Sequence, residues 1–175
     1  MNISFIKGQG TGNDFVLLHD PEGALRLSDD EIRAMCNRHF GIGADGVIIA
    51  THTSASDEVR HLLDEEPWAL WFMDYRNADG SKGEMCGNGA RVFARYLLSG
   101  GHASLSDGST LPIATRAGIK DITSTVSALR GRSECTGKVG VLGHCLGGKL
   151  AYLAAARSGA RSISSTEPWT MRTQL

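Results

Sequence analysis

The stretch from residue 76 to residue 95, RNADGSKGEMCGNGARVFAR, constrains the fold more than any other part of the chain. Residues 77–80 have the composition of a turn, and Cys86 follows inside a glycine-rich segment. A helical pattern then begins, because apolar residues such as Val92 and Tyr96 are spaced to share one face. The sequence therefore predicts a tight loop that places Cys86 at the beginning of a helix.

This position suggests a chemical role for Cys86. The first backbone N–H groups of a helix have no partner within the helix and carry partial positive charge. Such groups stabilise a thiolate, and they also bind anions such as carboxylates. A reactive cysteine beside a carboxylate-binding loop is suited to chemistry on an amino acid. From this stretch alone, the alternative of a small buried cysteine in an ordinary turn stays equally open.

Four glycine-containing motifs occur within the first 91 residues. They are GQGTGNDF at residues 8–15, GIGADGV at 41–47, NADGS at 77–81 and MCGNGAR at 85–91. In this order and spacing they resemble the N-terminal lobe of the diaminopimelate epimerase family. The resemblance covers about residues 1–120, and PIATRAG at residues 112–118 also fits that family.

The resemblance implies a two-lobed epimerase that needs no cofactor and acts on LL- or meso-diaminopimelate in lysine biosynthesis. Each lobe supplies one cysteine, so that one thiolate removes the α-proton and the other thiol protonates the opposite face. Cys86 matches the catalytic cysteine of the first lobe. Asn13 and Asn77 match positions that contact the substrate, and Gly87 and Asn88 match backbone contacts to it. Without the resemblance, Asn13 is more simply explained as a turn cap.

A different pattern begins near residue 121. A short apolar run at residues 138–143 predicts a strand, which leads through GHCLGG into an alanine-rich helix over residues 149–157. Residues 121–160 resemble the nucleophile region of the dienelactone hydrolase family, which makes Cys145 a second candidate nucleophile. That family completes its triad with a later Asp and His, but residues 161–175 contain neither. We therefore favour a strand–turn–helix without activity of its own.

Ser28 followed by Glu31 has the pattern of a capping box, which predicts a helix over about residues 29–38. Cys36 falls on the inner face of this helix, so we expect it in the core.

We expect an α+β fold with three parts. Residues 1–120 would form a diaminopimelate epimerase-like lobe of antiparallel strands around the helix after Cys86. Residues 121–160 would add a short β-α hydrolase-like appendage, and residues 161–175 a disordered tail. The second lobe that the resemblance implies has no counterpart among the 175 residues. We therefore expect impaired epimerisation in a chimeric chain, with an open face that permits self-association.

Composition limits the expected binding partners and the expected cellular location. The 18 basic and 19 acidic residues leave a net charge of -1, which does not favour nucleic acid or an anionic membrane as a partner. No apolar run approaches the roughly 20 residues of a membrane span. The four cysteines lack metal-binding spacing, so we expect free thiols, no metal and a cytoplasmic location. These observations leave a small-molecule enzyme, a cysteine hydrolase and a non-catalytic fragment as the open functions.

Overall fold

The computed structural model describes residues 3–106, 109–123, 140–143 and 161–164. The chain divides into two compact units. The first comprises Met1–Leu105 and Thr110–Ile122, and the second comprises Ser106–Ser109 and Thr123–Leu175.

Six strands and two α-helices occur in the described residues up to 123. They are β1 (Phe5–Gly10), β2 (Asn13–His19), α1 (Asp29–Cys36), β3 (Gly46–His52), β4 (Trp71–Asn77), α2 (Gly87–Ser99), β5 (Thr110–Thr115) and β6 (Gly118–Thr123). Two 3-10 helical turns, Thr53–Ala55 and Arg60–Asp64, lie between β3 and β4. None of the helices in this part of the chain is long and apolar enough to cross a membrane.

The strands form one sheet in the order β1-β2-β3-β4-β5-β6. The sheet is mixed, because β2 is parallel to β3 and β4 is parallel to β5, whereas β1–β2 and β3–β4 are antiparallel. The expected α+β class is confirmed, but the expectation of antiparallel strands alone was wrong. The physical reason is that parallel strands need a long connection. The segments that contain α1 and α2 carry the chain back to the end of the sheet where the preceding strand began, so β3 runs parallel to β2 and β5 to β4.

The two helices pack against opposite faces of the sheet. Alternate residues of β2 and β3, such as Phe15 and Ile48, join α2 in one hydrophobic cluster. The intervening residues, such as Val16 and Val47, join α1 in another. Helix α2 contacts β1, β2, β3 and β4, so it is central to the first unit.

Helix α1 begins where the sequence predicts. The Ser28 hydroxyl accepts a hydrogen bond from the backbone N–H of Glu31, and the Glu31 carboxylate accepts one from the backbone N–H of Ser28. This reciprocal pair satisfies two N–H groups that the helix leaves without partners. At the other end of α1, Cys36 is buried in the core, as expected.

In the second unit, β7 (Gly140–Gly143) pairs in parallel with β8 (Arg161–Ser164). Strand β7 lies within the strand predicted from the sequence. Strand β8 was not predicted, since its residues belong to the segment expected to be disordered. Cys145 and the helix predicted over residues 149–157 lie outside the described residues.

Candidate active site

Two of the candidate residues, Asn13 and Asn77, lie at the same end of nearby strands in the sheet. Strand β2 begins at Asn13, and β3, which is parallel to it, begins at Gly46. Strand β4 is antiparallel to β3 and ends at Asn77, directly opposite Gly46. Because β2 and β3 begin here and β4 ends here, Asn13 and Asn77 lie at the same end of the strands, although 64 positions separate them in sequence.

Cys86 occupies the N-cap position of α2. Its backbone is extended, with φ -136° and ψ 114°, and its carbonyl accepts the first helical hydrogen bond from Ala90 N at 2.7 Å. The Sγ atom accepts a hydrogen bond from Gly89 N at 3.4 Å. The thiol is half-buried and packs against the cluster beneath α2. The sequence-predicted location of Cys86 at a helix start is therefore confirmed.

The next two backbone N–H groups are open. Neither Gly87 N nor Asn88 N has a hydrogen-bond acceptor within the described ranges, and the first turn of α2 carries no acidic side chain. A Cβ atom built on Gly87 would have no atom within 4 Å. Two free donors at the positive end of a 13-residue helix, next to a thiol, form a site suited to a carboxylate.

The Asn88 side chain ties this helix end to the β1–β2 hairpin. Its Nδ2 donates to Asn13 Oδ1 at 2.6 Å, and its Oδ1 accepts a hydrogen bond from Arg91. Arg91 also donates to the hydroxyl of Thr11 at 2.8 Å. Thr11 has a φ of 59° and Gly12 a φ of 89°, which defines the type I′ turn that joins antiparallel strands. The resemblance implied only backbone contacts at Asn88, whereas its amide also positions the helix.

Asp45 fixes the orientation of Asn13 and was missed by the sequence analysis. One carboxylate oxygen accepts from Asn13 Nδ2 at 2.9 Å and from Asp14 N at 3.2 Å. The other oxygen pairs with Arg38 at 2.7 Å. Arg38 also contacts the Asp14 carboxylate and, together with Lys7, holds the pKa of that carboxyl well below its usual range. The signal for Asp45 was its place in the GIGADGV motif.

Asn77 lies at the same end of the strands, but its described side-chain contact is with the turn that directly follows β4. Its Nδ2 donates to Ser81 Oγ at 3.0 Å, and its backbone N–H donates to Ser81 O at 2.9 Å. These bonds close the turn predicted at residues 77–80. Gly80 has a φ of 91°, and a Cβ there would collide with the Asp29 backbone at the start of α1. Asn77 therefore anchors the turn after β4, and none of its described hydrogen bonds joins it to Cys86 or Asn13.

Arg116 was also missed, although it belongs to the PIATRAG motif. It donates to the backbone carbonyls of Tyr75 at 3.1 Å and Gly83 at 3.2 Å. Its guanidinium also pairs with Asp74 at 2.6 Å and Glu58 at 2.7 Å, and lowers the pKa of Glu58 to about 2. This mostly buried side chain fastens the segment that leads from β4 towards Cys86.

A cavity of about 320 Å³ lies beside Asp74 and Glu58, the two carboxylates that Arg116 contacts. Its walls also include Ile49, which packs on the α1 side of the sheet, and the charged side chains of Arg76 and Lys82. Those charges are paired, since Arg76 contacts Asp74 at 2.7 Å and Lys82 contacts Glu58 at 2.6 Å. The cavity includes none of the candidate residues, and in the described segments no cluster of His, Cys, Asp and Glu is arranged to hold a metal ion.

Comparison with known proteins identifies one family. The family model described as "Diaminopimelate epimerase" matches residues 5–141. Diaminopimelate epimerase from Streptomyces coelicolor is 50% identical over 120 residues, which are 69% of this chain and 39% of the relative. The enzyme from Thermobifida fusca is 50% identical over 123 residues (69% and 43%), and that from Corynebacterium glutamicum strain R is 43% identical over 122 residues (70% and 41%).

The chain thus spans about two fifths of the length of these relatives. The family match continues beyond residue 120, into the region that resembles the dienelactone hydrolases in sequence. Neither the family model nor these relatives support that second resemblance.

Proposed function

The chain belongs to the diaminopimelate epimerase family, and from that premise we propose that it supplies one half of a cofactor-independent amino-acid epimerase. The substrate would be LL- or meso-diaminopimelate, in lysine biosynthesis. The observation that carries the proposal is the thiol of Cys86 at the N-cap of α2, beside the free N–H groups of Gly87 and Asn88.

The proposed chemistry follows from this arrangement. The N–H groups of Gly87 and Asn88 bind the α-carboxylate, and the Cys86 thiolate takes the α-proton. The electron pair of the broken C–H bond moves into the carboxylate, where the helix N-terminus stabilises the developing negative charge. Asn13 and Asn77 are the proposed side-chain contacts.

Inversion requires a second acid on the opposite face of the α-carbon. Within the described segments, Cys86 is the only cysteine at a helix N-cap. We therefore expect these 175 residues, assayed by themselves, to exchange the α-proton with little or no inversion.

The test is α-proton exchange in D2O. The purified chain is incubated with LL-diaminopimelate, and the loss of the α-proton signal is followed by NMR. Exchange should disappear in Cys86→Ser and persist in the matched thiol variant Cys145→Ala. An exchange rate that is the same with and without the Cys86 thiol would contradict the proposal.

A cysteine hydrolase of the dienelactone hydrolase type is the alternative. Strand β7 supports it, because β7 leads directly into the GHCLGG motif, as the strand of a nucleophile elbow does, and also has a parallel neighbour. A chromogenic ester assay separates the two functions. Turnover that depends on Cys145, and not on Cys86, would favour the hydrolase.

The third possibility is a non-catalytic chimeric fragment that self-associates. Its support is the edge strand β1, where Phe5 is 47% and Ile6 is 54% exposed. Exposed apolar edges promote association between chains. Light scattering across a dilution series tests this, and a monomer at all concentrations would count against it.

A further inference from the structure

Tyr75 has an unusual position beside the candidate cysteine. It pairs with Ile48 across β3 and β4, and both Tyr75 and Cys86 pack against the cluster beneath α2. Its ring lies against two glycines. A Cβ on Gly46 would lie 2.8 Å from Tyr75 Cε2, and one on Gly83 would overlap the ring. Glycine at both positions therefore makes room for this side chain.

The Tyr75 hydroxyl points towards the end of the strands where Asn13 and Asn77 lie. It would lie 3.4 Å from a Cβ on Gly46, which is the residue directly opposite Asn77. The ring is half-buried and meets Phe15 edge-to-face, with 6.2 Å between centroids. No fully buried side-chain polar atom of the described residues lacks a hydrogen-bond partner, so this hydroxyl, which has none among them, is accessible and can donate to a ligand.

We propose that the Tyr75 hydroxyl donates a hydrogen bond to the carboxylate of an amino-acid substrate bound at the N-terminus of α2. Tyr75 is then a substrate-binding residue in addition to those implied by the family resemblance. This inference rests on the proposed function, because it uses the same bound carboxylate.

The electrostatics of the site suit a donor at this position. Burial raises the pKa of Tyr75, and the negative charges of Cys86 and Asp45 raise it further. The phenol therefore stays protonated at neutral pH, even when Cys86 is a thiolate. A neutral donor can bind a carboxylate without adding a charge that would compete for the thiolate.

The test is the substitution Tyr75→Phe, which removes the hydroxyl and keeps the ring between its glycines. LL-diaminopimelate is titrated into the 15N-labelled chain, and the backbone amide signals of Gly87 and Asn88 are followed. Tyr96→Phe is the matched control, because it removes one hydroxyl near the other end of α2. We expect the midpoint to rise about tenfold in Tyr75→Phe, as for one hydrogen bond to a charged group, and to stay unchanged in Tyr96→Phe.

A second readout separates direct contact from a structural role. In the unsubstituted chain with 13C-labelled tyrosine, the Tyr75 Cζ signal should shift with the same midpoint as the Gly87 amide. Equal midpoints in Tyr75→Phe and the unsubstituted chain would overturn the inference and leave the proposed function standing. No saturable shift at Gly87 or Asn88 in the unsubstituted chain would overturn both.

Discussion

The two ends of α2 are built in opposite ways. At the N-terminal end, polar side chains hold the helix in place but leave the N–H groups of Gly87 and Asn88 open. At the C-terminal end, the last carbonyls are used: Gly100 N donates to Tyr96 O at 2.9 Å and His102 N donates to Leu97 O at 2.8 Å.

Aromatic rings then close the C-terminal end. Tyr96 Oη lies 2.7 Å from His19 Nδ1, and the His19 ring stacks on His102 with 4.5 Å between centroids. Trp71 donates to the backbone carbonyl of His102 at 3.1 Å. One helix thus has an end suited to binding and an end suited to stability, and substitutions should affect the two properties separately.

Cys86→Ala and Tyr96→Phe should show the largest contrast between an effect on α-proton exchange and an effect on stability. Cys86→Ala should lower α-proton exchange by about 10²–10⁴-fold, the usual contribution of a positioned general base. Tyr96→Phe should leave exchange unchanged and lower the free energy of unfolding by about 1 kcal/mol, for one lost hydrogen bond. Both quantities are measured on each variant, by NMR exchange and by urea unfolding. Loss of exchange in Tyr96→Phe would break the comparison.

Asn88→Ala should affect both properties, because this side chain joins the open helix end to the hairpin. It leaves Asn13 Oδ1 without its donor and Arg91 with one acceptor fewer. We expect the free energy of unfolding to fall by about 1–2 kcal/mol and ligand binding at the helix N-terminus to weaken. Urea unfolding and the amide titration measure the two effects. Full binding in a stable Asn88→Ala variant would show that the N–H groups need no support from this amide.

Two glycine substitutions compare the backbone at the two ends. Gly101 has a φ of 71°, so Gly101→Ala should lower the free energy of unfolding by about 1 kcal/mol although no atom lies within 4 Å of the new Cβ. Gly87 does not have a positive φ and also has space, so Gly87→Ala should raise stability by about 0.5 kcal/mol. Thermal unfolding of both variants measures the difference, and effects of the same sign would contradict it.

The smallest effect is expected from pH at the C-terminal end. Burial lowers the pKa of His19 below its ordinary value of 6.5, and repulsion from His102 and His52 adds to this against the opposite pull of Asp20. The unfolded chain then binds a proton at this position more readily than the folded chain. The free energy of unfolding should therefore fall as the pH drops below about 6.5.

Urea unfolding at pH 7.5 and 5.5 tests this prediction, with His19→Gln as the control. The loss of stability between the two pH values should be smaller in the variant, since it cannot take up that proton. Because the residue as a whole is largely exposed, salt should screen the repulsion from the other two histidines and so reduce the difference. An identical loss in both proteins would assign the pH dependence to other groups.

Local signals predicted the parts of this structure that depend on neighbours in sequence. The Ser28–Glu31 capping box and the glycine-rich segment after Cys86 each marked a helix start correctly. The parallel pairing of β2 with β3 was missed. Residues 15–18 and 47–50 are continuous apolar runs in the sequence and are buried without alternation in the structure, a pattern typical of strands covered on both faces.

The missed site residues depend on contacts between distant positions. Asp45 reaches Asn13 across 32 residues, and Arg91 reaches Thr11 across 80. No local pattern distinguishes such a carboxylate or guanidinium from one on a solvated surface. The family resemblance brought Asn13 and Asn88 together by their motifs, but the hydrogen bond between them required the fold.

The hydrogen bonds from Arg91 through Asn88 and Asn13 to Asp45 run in one direction only. A guanidinium can only donate and a carboxylate can only accept, so the two ends fix which way each amide group faces. Turning either amide over would set donor against donor and acceptor against acceptor. The entrance to α2 is therefore already in the arrangement that we propose for ligand binding before any ligand arrives, and the entropy of ordering it is spent during folding.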